Sequence, residues 1–267
     1  MALAQAGAAA QGATIYVTLE PCAHDSVRGP ACSDLIVAAR PASVVVGVTD
    51  PDPRTAGTGM VRLRDAGIEV RPRDSETARA SLSGYLTQRR QGRLHVTLKL
   101  AASRNGRIAR PAGEPQWITG EAARAHVHAR RAECDAIMVG GGTWRADEPR
   151  LDVRLPGLED RSPQRFVLTS GEVPDDVTAI RAPVEITRME GIQYLYVEGG
   201  AQTAASFLDA ALVDRVELYR APFDIESGSD VIGELGLSEL AERDDRWDHT
   251  DHRQLGSDTF DAYERKV

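Results

Sequence analysis

Short apolar runs alternate along this chain with amphipathic stretches of helical length. Val44 to Val48 is a β-branched run broken only by Gly47, the pattern of a strand covered on both faces. Thr14 to Thr18 predicts a second strand and Ile68 to Val70 a third. Between them lie an Ala-rich helix over residues 2–11 ended by Gly12, a short helix from Asp34 to Ala39 with Ser33 as its N-cap, and a helix from Gly59 to Ala66 ended by Gly67. The Asp50-Pro51-Asp52-Pro53 run breaks the Val44 strand into a loop. Strands and helices in this alternation predict a layered α/β domain.

Residues 75–88 read as one further helix, and Gln88 to Arg93 as a polar, basic hinge. The hinge predicts a division into one domain over residues 1–90 and another over 94–267. In the second half, strands are expected at His95 to Ala101, Ala136 to Val139, Arg165 to Thr169, Tyr194 to Val197 and Arg215 to Tyr219. Helices are expected at Glu121 to Glu133, with Thr119 as N-cap, and at Thr203 to Ala211. Two strands end in glycines, Gly140-Gly141-Gly142 and Gly199-Gly200. In open α/β sheets ligands bind outside such strand ends.

Composition narrows the function. Lys plus Arg number 32 against 40 for Asp plus Glu, a net charge of -8, which argues against a nucleic-acid binder. A pocket can still be locally basic, so an anionic small molecule remains open as substrate. Three cysteines make no disulfide framework and suit a reducing cytosol. The apolar runs are too short to span a membrane.

Candidate metal chemistry sits at Thr18-Leu19-Glu20-Pro21-Cys22-Ala23-His24, followed by Cys32. Pro-Cys with a second cysteine is one part of the zinc deaminase signature, and an upstream His-x-Glu is the other. No His precedes His24 in the 267 residues. Cys22 and Cys32 supply two thiolates where a catalytic zinc takes three protein ligands and a water. His24 is expected to line the site or pack on its own loop.

These segments, taken in order with the second half, resemble the bifunctional deaminase/reductase family of riboflavin biosynthesis. The second half carries the fuller likeness: Thr97 to Ser103, Gly106-Arg107-Ile108-Ala109, Trp117-Ile118-Thr119-Gly120, Gly140 to Thr143, Asp147 to Arg154, and Tyr196 to Ala201. The resemblance implies a cytidine-deaminase-like three-layer domain, lacking its His-Ala-Glu segment, followed by a dihydrofolate-reductase-like domain. It implies reduction of the ribose of a phosphoribosylaminopyrimidine by NADPH, in the cytoplasm and often as a homodimer. The absence of a Gly-x-Gly-x-x-Gly fingerprint agrees with NADPH held outside a Rossmann fold. Zinc would be bound weakly or not at all, and deamination would be impaired.

Site roles follow from the same resemblance. Ala101, Trp117, Thr143, Asp147, Ser170, Gly199, Gly200 and Ala201 align with cofactor contacts, and Arg131, Leu151, Arg154 and Glu198 with substrate contacts. Lys99 aligns with a lysine near the reacting sugar, where it would hold substrate or assist proton transfer; Asp147 is a second catalytic candidate. Arginine suits the ribose phosphate because its planar fork pairs two oxygens. The chain departs from the family pattern at Asn105, where members carry Asp, at Pro115, over Phe223 to Ser229, and in a short segment from Ser170 to Gly191. Two alternatives stand beside a reductase with a damaged deaminase: a complete bifunctional enzyme beginning upstream of Met1, and a non-catalytic nucleotide-binding relative.

Overall fold

The computed structural model describes residues 2–27, 29–107, 118–226 and 246–266. It divides into two compact units, Met1–Gly92 and Arg93–Val267.

In the first unit, β1 (Thr14–Leu19), β2 (Ser43–Val48) and β3 (Glu69–Pro72) form a parallel sheet in the order β1-β2-β3. The β-branched run becomes the central strand, buried along its whole length. On one face, Val44 and Val46 pack against Ile36 of α2 (Cys32–Ala39) and Met60 and Leu63 of α3 (Thr58–Asp65). On the other face, α4 (Glu76–Ser81) presses close to Gly47, where an added Cβ would come within 2.9 Å of the Ala78 Cβ. Only glycine admits a helix that near to the strand. The unit is therefore three-layered.

Local details differ from expectation. The helix read over 75–88 is two, α4 and α5 (Ser83–Gln91), broken at Leu82, whose side chain turns into the apolar cluster of Val48 and Leu86. Ser75 caps α4, its hydroxyl accepting from the Ala78 N–H at 3.3 Å. Ser33 is not the cap of α2. The helix starts two residues earlier, at Cys32, and the Ser33 hydroxyl donates to the Cys22 carbonyl at 3.0 Å. The Ala-rich start forms α1 (Ala2–Ala6) and then a 3-10 turn over Gly7–Ala10.

The second unit is built on an eight-stranded sheet among the described residues. Its strands are β4 (His95–Ala102), β5 (Ala136–Gly140), β6 (Gln164–Leu168), β7 (Thr178–Ile180), β8 (Tyr194–Glu198), β9 (Arg215–Arg220), β10 (Trp247–Leu255) and β11 (Asp258–Arg265). The order is β10-β11-β9-β4-β8-β5-β6-β7, parallel from β9 to β7, with β11 and β10 added antiparallel. Even-numbered residues of β4 (Val96, Leu98, Leu100) join Met138, Val197 and Leu218 under Phe207 of α8 (Ala201–Asp209). The opposite face carries Ile137, Val139, Tyr196 and Tyr219 under Ala123 and Val127 of α6 (Glu121–Arg131). The period of two along each strand thus sends alternate side chains into two cores.

α6 begins after Gly120, not Thr119, and the Gly120 N–H donates to the Asp258 carboxylate at 2.6 Å. The glycines after β5 form the start of a helix, α7 (Gly141–Asp147). The short segment from Ser170 to Gly191 holds β7 and a 3-10 turn over Pro183–Arg188, anchored by fully buried Ile186. The hairpin of β10 and β11 was not legible in the sequence. Most of β10 faces solvent at the sheet edge, so it shows no apolar alternation.

Candidate active site

A cavity of about 500 Å³ opens at the carboxyl ends of β4, β8 and β5, on the α6 side of the sheet. Because odd residues of β4 face α6, Lys99 and Ala101 point into it. Glu198 closes β8, and Gly199 and Gly200 follow. One stripe of α6, Arg124, Val127, His128 and Arg131, forms a wall. The stretch after α7, from Glu148 to Arg154, forms the rim. Leu151 is buried there in the left-handed region at φ 55°, and Glu148 at φ 40°. Non-glycine residues in that region are held by their surroundings.

At the floor lies an ion cluster. The Arg131 fork is paired with Glu198 through Nε to Oε1 at 2.6 Å and Nη2 to Oε2 at 3.0 Å, while Nη1 donates to the Asp152 carbonyl at 2.9 Å. Lys99 Nζ stands 3.8 Å from the same Glu198 carboxylate. The side chains of Lys99, Arg131 and Glu198 are 18%, 11% and 12% exposed. Burial opposes ionisation of Glu198, but the Lys99 and Arg131 cations outweigh it and hold its carboxyl below the usual range. Burial and the neighbouring Arg131 and Arg154 cations depress the His128 imidazole, so it is neutral at neutral pH. The Arg154 N–H lies 3.2 Å from His128 Nδ1. Arg154 and Arg150 flank Asp152 at the rim, half and largely exposed.

The opposite wall is backbone. α7 and α8 start side by side after Gly140 and Gly200, and neither has a side-chain cap. A Cβ on Gly199 would stand 2.6 Å from the Thr203 Cβ, and one on Gly140 would overlap the Thr203 hydroxyl. Those glycines let α8 pack tightly onto the strand ends. A Cβ on Gly200 would reach only to 4.0 Å from the Thr143 hydroxyl, so the two helix starts are neighbours. Uncapped N–H groups at a helix start favour anions.

Of the residues singled out in the sequence, Lys99, Ala101, Arg131, Thr143, Asp147, Leu151, Arg154, Glu198, Gly199 and Gly200 all line this one cavity. Ala201 is the first residue of α8. Ser170 lies exposed past the end of β6, outside the cavity lining. Trp117 and Pro115 lie outside the described residues, as do Ser227 to Ser229. Arg124, His128 and Arg150 were not anticipated; the spacing 124, 127, 128, 131 is a helical stripe that points to the first two. Asn105 ties its turn to the Phe223 segment by a paired contact, Nδ2 donating to the Ile225 carbonyl at 3.0 Å and Oδ1 accepting from the Ile225 N–H at 3.1 Å. Asp224 in that segment is neutralised by a two-point pair with Arg104.

The cysteine pair in the first unit is less complete. The Cys32 N–H lies 3.2 Å from Cys22 Sγ. Burial and the neighbouring Cys22 raise the Cys32 thiol above its usual range. His24 Nδ1 contacts the Thr55 hydroxyl at 3.3 Å. Glu20 is buried and accepts the Gly57, Met60 and Asp50 N–H groups, a structural role. Among the described residues no third His, Cys, Asp or Glu joins the two thiols. The donor set therefore falls short of a catalytic zinc site.

Comparison with known proteins adds ancestry to this geometry. Residues 94–260 match the RibD C-terminal domain family. The riboflavin biosynthesis protein RibD of Mycobacterium tuberculosis strain H37Rv is 35% identical over 274 residues, spanning 97% of this chain and 80% of the relative. That of Escherichia coli K12 is also 35% identical, over 90% of this chain and 79% of the relative. The solved Acinetobacter baumannii RibD, form 1, superposes with a TM-score of 0.80 at 31% identity, covering 100% of this chain and 84% of that one. The solved diaminohydroxyphosphoribosylaminopyrimidine deaminase/5-amino-6-(5-phosphoribosylamino)uracil reductase of Thermotoga maritima gives a TM-score of 0.79 at 27% identity, over 96% and 80%. A family match across most of the second unit, and relatives aligned along nearly the whole chain, make this a member of the RibD family, an α/β protein whose second unit is a dihydrofolate-reductase-like, riboflavin-pathway reductase.

Proposed function

We propose that the chain reduces 5-amino-6-(5-phosphoribosylamino)uracil with NADPH, acting on the substrate for which the Thermotoga reductase is named. The observation that carries this reading is the convergence of Lys99, Glu198 and two uncapped helix starts on one cavity. The fit to the cofactor rests on the chain's own groups. Gly200, Ala201 and Thr143 would hold the pyrophosphate, and Asp147 and Ala101 would flank the dinucleotide. NADPH, when bound, supplies a hydride to C1′ of the opened sugar. Arg154 at the rim, with Arg150 beside it, offers a guanidinium to the ribose phosphate. Arg131 commits Nε, Nη2 and one Nη1 contact within the protein, so its first task is to fix Glu198. Lys99 is held by Glu198 as the cation facing the reacting sugar. The leading test is NADPH oxidation on addition of the aminopyrimidine, lost in Lys99→Met.

The same chain is proposed to lack deaminase activity as it stands. Two thiols without a third donor among the described residues support this part of the reading. Stoichiometric zinc at Cys22 and Cys32, together with ammonia release from the pyrimidine substrate, would overturn it.

A further inference from the structure

His249, His252 and Asp261 are brought together on the outer antiparallel pair, far in sequence from the cysteines and absent from the cavity lining. Residues three apart on a strand normally face opposite sides of a sheet. Here the register shifts between His249 and Asp251: His252 pairs with Asp261, yet His249 pairs with Tyr263. One extra residue in β10 therefore turns both imidazoles to the face that carries Asp261 and Tyr263. Bulges re-aim side chains in this way. His249 Nε2 lies 3.0 Å and His252 Nδ1 2.8 Å from the same Asp261 oxygen, Oδ1. The other oxygen, Oδ2, accepts from Arg220 at 2.7 Å. Tyr263 stacks on the His249 ring with centroids 4.9 Å apart.

We propose that this bulge builds a binding site for a divalent transition-metal ion, with His249 Nε2, His252 Nδ1 and Asp261 Oδ1 as its ligands. The three atoms lie within 4.8 Å of one another. A tetrahedral ion with bonds of about 2.0–2.1 Å wants its ligands about 3.3 Å apart, a closure that exposed imidazole rings make by small rotations. The rings are 47% and 59% exposed, so an ion reaches them from solvent, while Asp261 is 9% exposed and fixed. Arg220 holds Oδ2, which leaves Oδ1 to bind in monodentate fashion. Two imidazoles and one carboxylate select borderline ions such as zinc, cobalt or nickel over magnesium or calcium. Water completes the coordination. The ion joins β10 to β11 across the bulge, where the ladder is irregular, and so clamps the edge of the sheet.

The test is cobalt(II) and zinc titration of the full chain in a Cys22→Ser/Cys32→Ser background, which removes the thiol ligands. The site predicts one equivalent of ion per chain, visible cobalt d–d bands without thiolate charge transfer, and a rise in Tm with added zinc. His252→Gln and His249→Gln alter only exposed rings and leave the fold intact; each should weaken binding at least tenfold and abolish the Tm rise. Reductase activity without metal should be unchanged in both. No saturable binding in the parent, or undiminished binding in both histidine variants, overturns the proposal.

Discussion

Replacing Glu198 by glutamine keeps its shape and removes its charge. In the parent, that carboxylate is the counter-charge for Arg131 at 2.6 and 3.0 Å and for Lys99 at 3.8 Å. The amide of glutamine can accept on one oxygen only, and its NH₂ then meets a guanidinium N–H. Breaking a buried pair from one side costs about 3–5 kcal/mol. These side chains keep between 11% and 18% of their surface at an open cavity, so solvent relieves part of the cost, leaving about 2–3 kcal/mol. For a chain of this size that is a fall in Tm of roughly 4–10 °C. Thermal melts of the parent, Glu198→Gln, Arg131→Gln and the double variant measure it. Because the double variant also removes the Arg131 charge and leaves only Lys99 without its counter-charge, it should be less destabilised than the sum of the singles by at least about 1 kcal/mol. Inorganic phosphate should protect Glu198→Gln more than the parent, since the uncompensated cations attract an anion. A Tm within about 1 °C of the parent, or strict additivity in the cycle, would refute the claim that Glu198 anchors the cluster.

Three further outcomes are expected. His95 is buried with Nδ1 unpartnered, and burial pulls its folded pKa to about 4 from 6.5; the unfolded chain binds the extra proton first, so stability present above about 6.5 is lost as pH falls toward 4, by about 3 kcal/mol. Tm against pH should flatten in this window in His95→Leu, and an unchanged slope would contradict the assignment. Gly199→Ala puts a Cβ 2.6 Å from the Thr203 Cβ, displacing the start of α8; NADPH affinity by fluorescence titration should fall roughly tenfold or more, about 1.4 kcal/mol, and unaltered affinity would remove Gly199 from the cofactor wall. Asn105→Asp loses the donor to the Ile225 carbonyl at 3.0 Å, so denaturant unfolding should show a loss of about 1–2 kcal/mol, whereas an unchanged midpoint would mean the contact carries no weight.

Much of this fold could be read from the chain because its central strands are buried on both faces. β2, β4, β5 and β8 announce themselves as β-branched or apolar runs, and the glycines at their ends mark the cavity. What escaped lies where burial is partial or where a contact is distant in sequence. The caps at Ser33 and Thr119 failed because a tertiary partner replaced a local one: Ser33 turns to Cys22, and the start of α6 is held by Asp258, 138 residues away. The hairpin of β10 and β11 escaped because an edge strand with charged side chains carries no alternation. Arg131 was expected to meet a phosphate. Its pairing with Glu198 depends on β8 and α6 lying face to face, which no local pattern states. His128 and Arg124 were not anticipated, because a helical stripe such as 124, 127, 128 and 131 most often means packing.

The central claim is that the second unit is a working NADPH-dependent reductase. Mixing the purified 267-residue chain with NADPH and 5-amino-6-(5-phosphoribosylamino)uracil tests it most directly. Loss of NADPH absorbance matched one for one by the ribitylamino product, and abolished in Lys99→Met, is the predicted result. Tight NADPH binding with no turnover, or turnover unaffected by Lys99→Met, would contradict it.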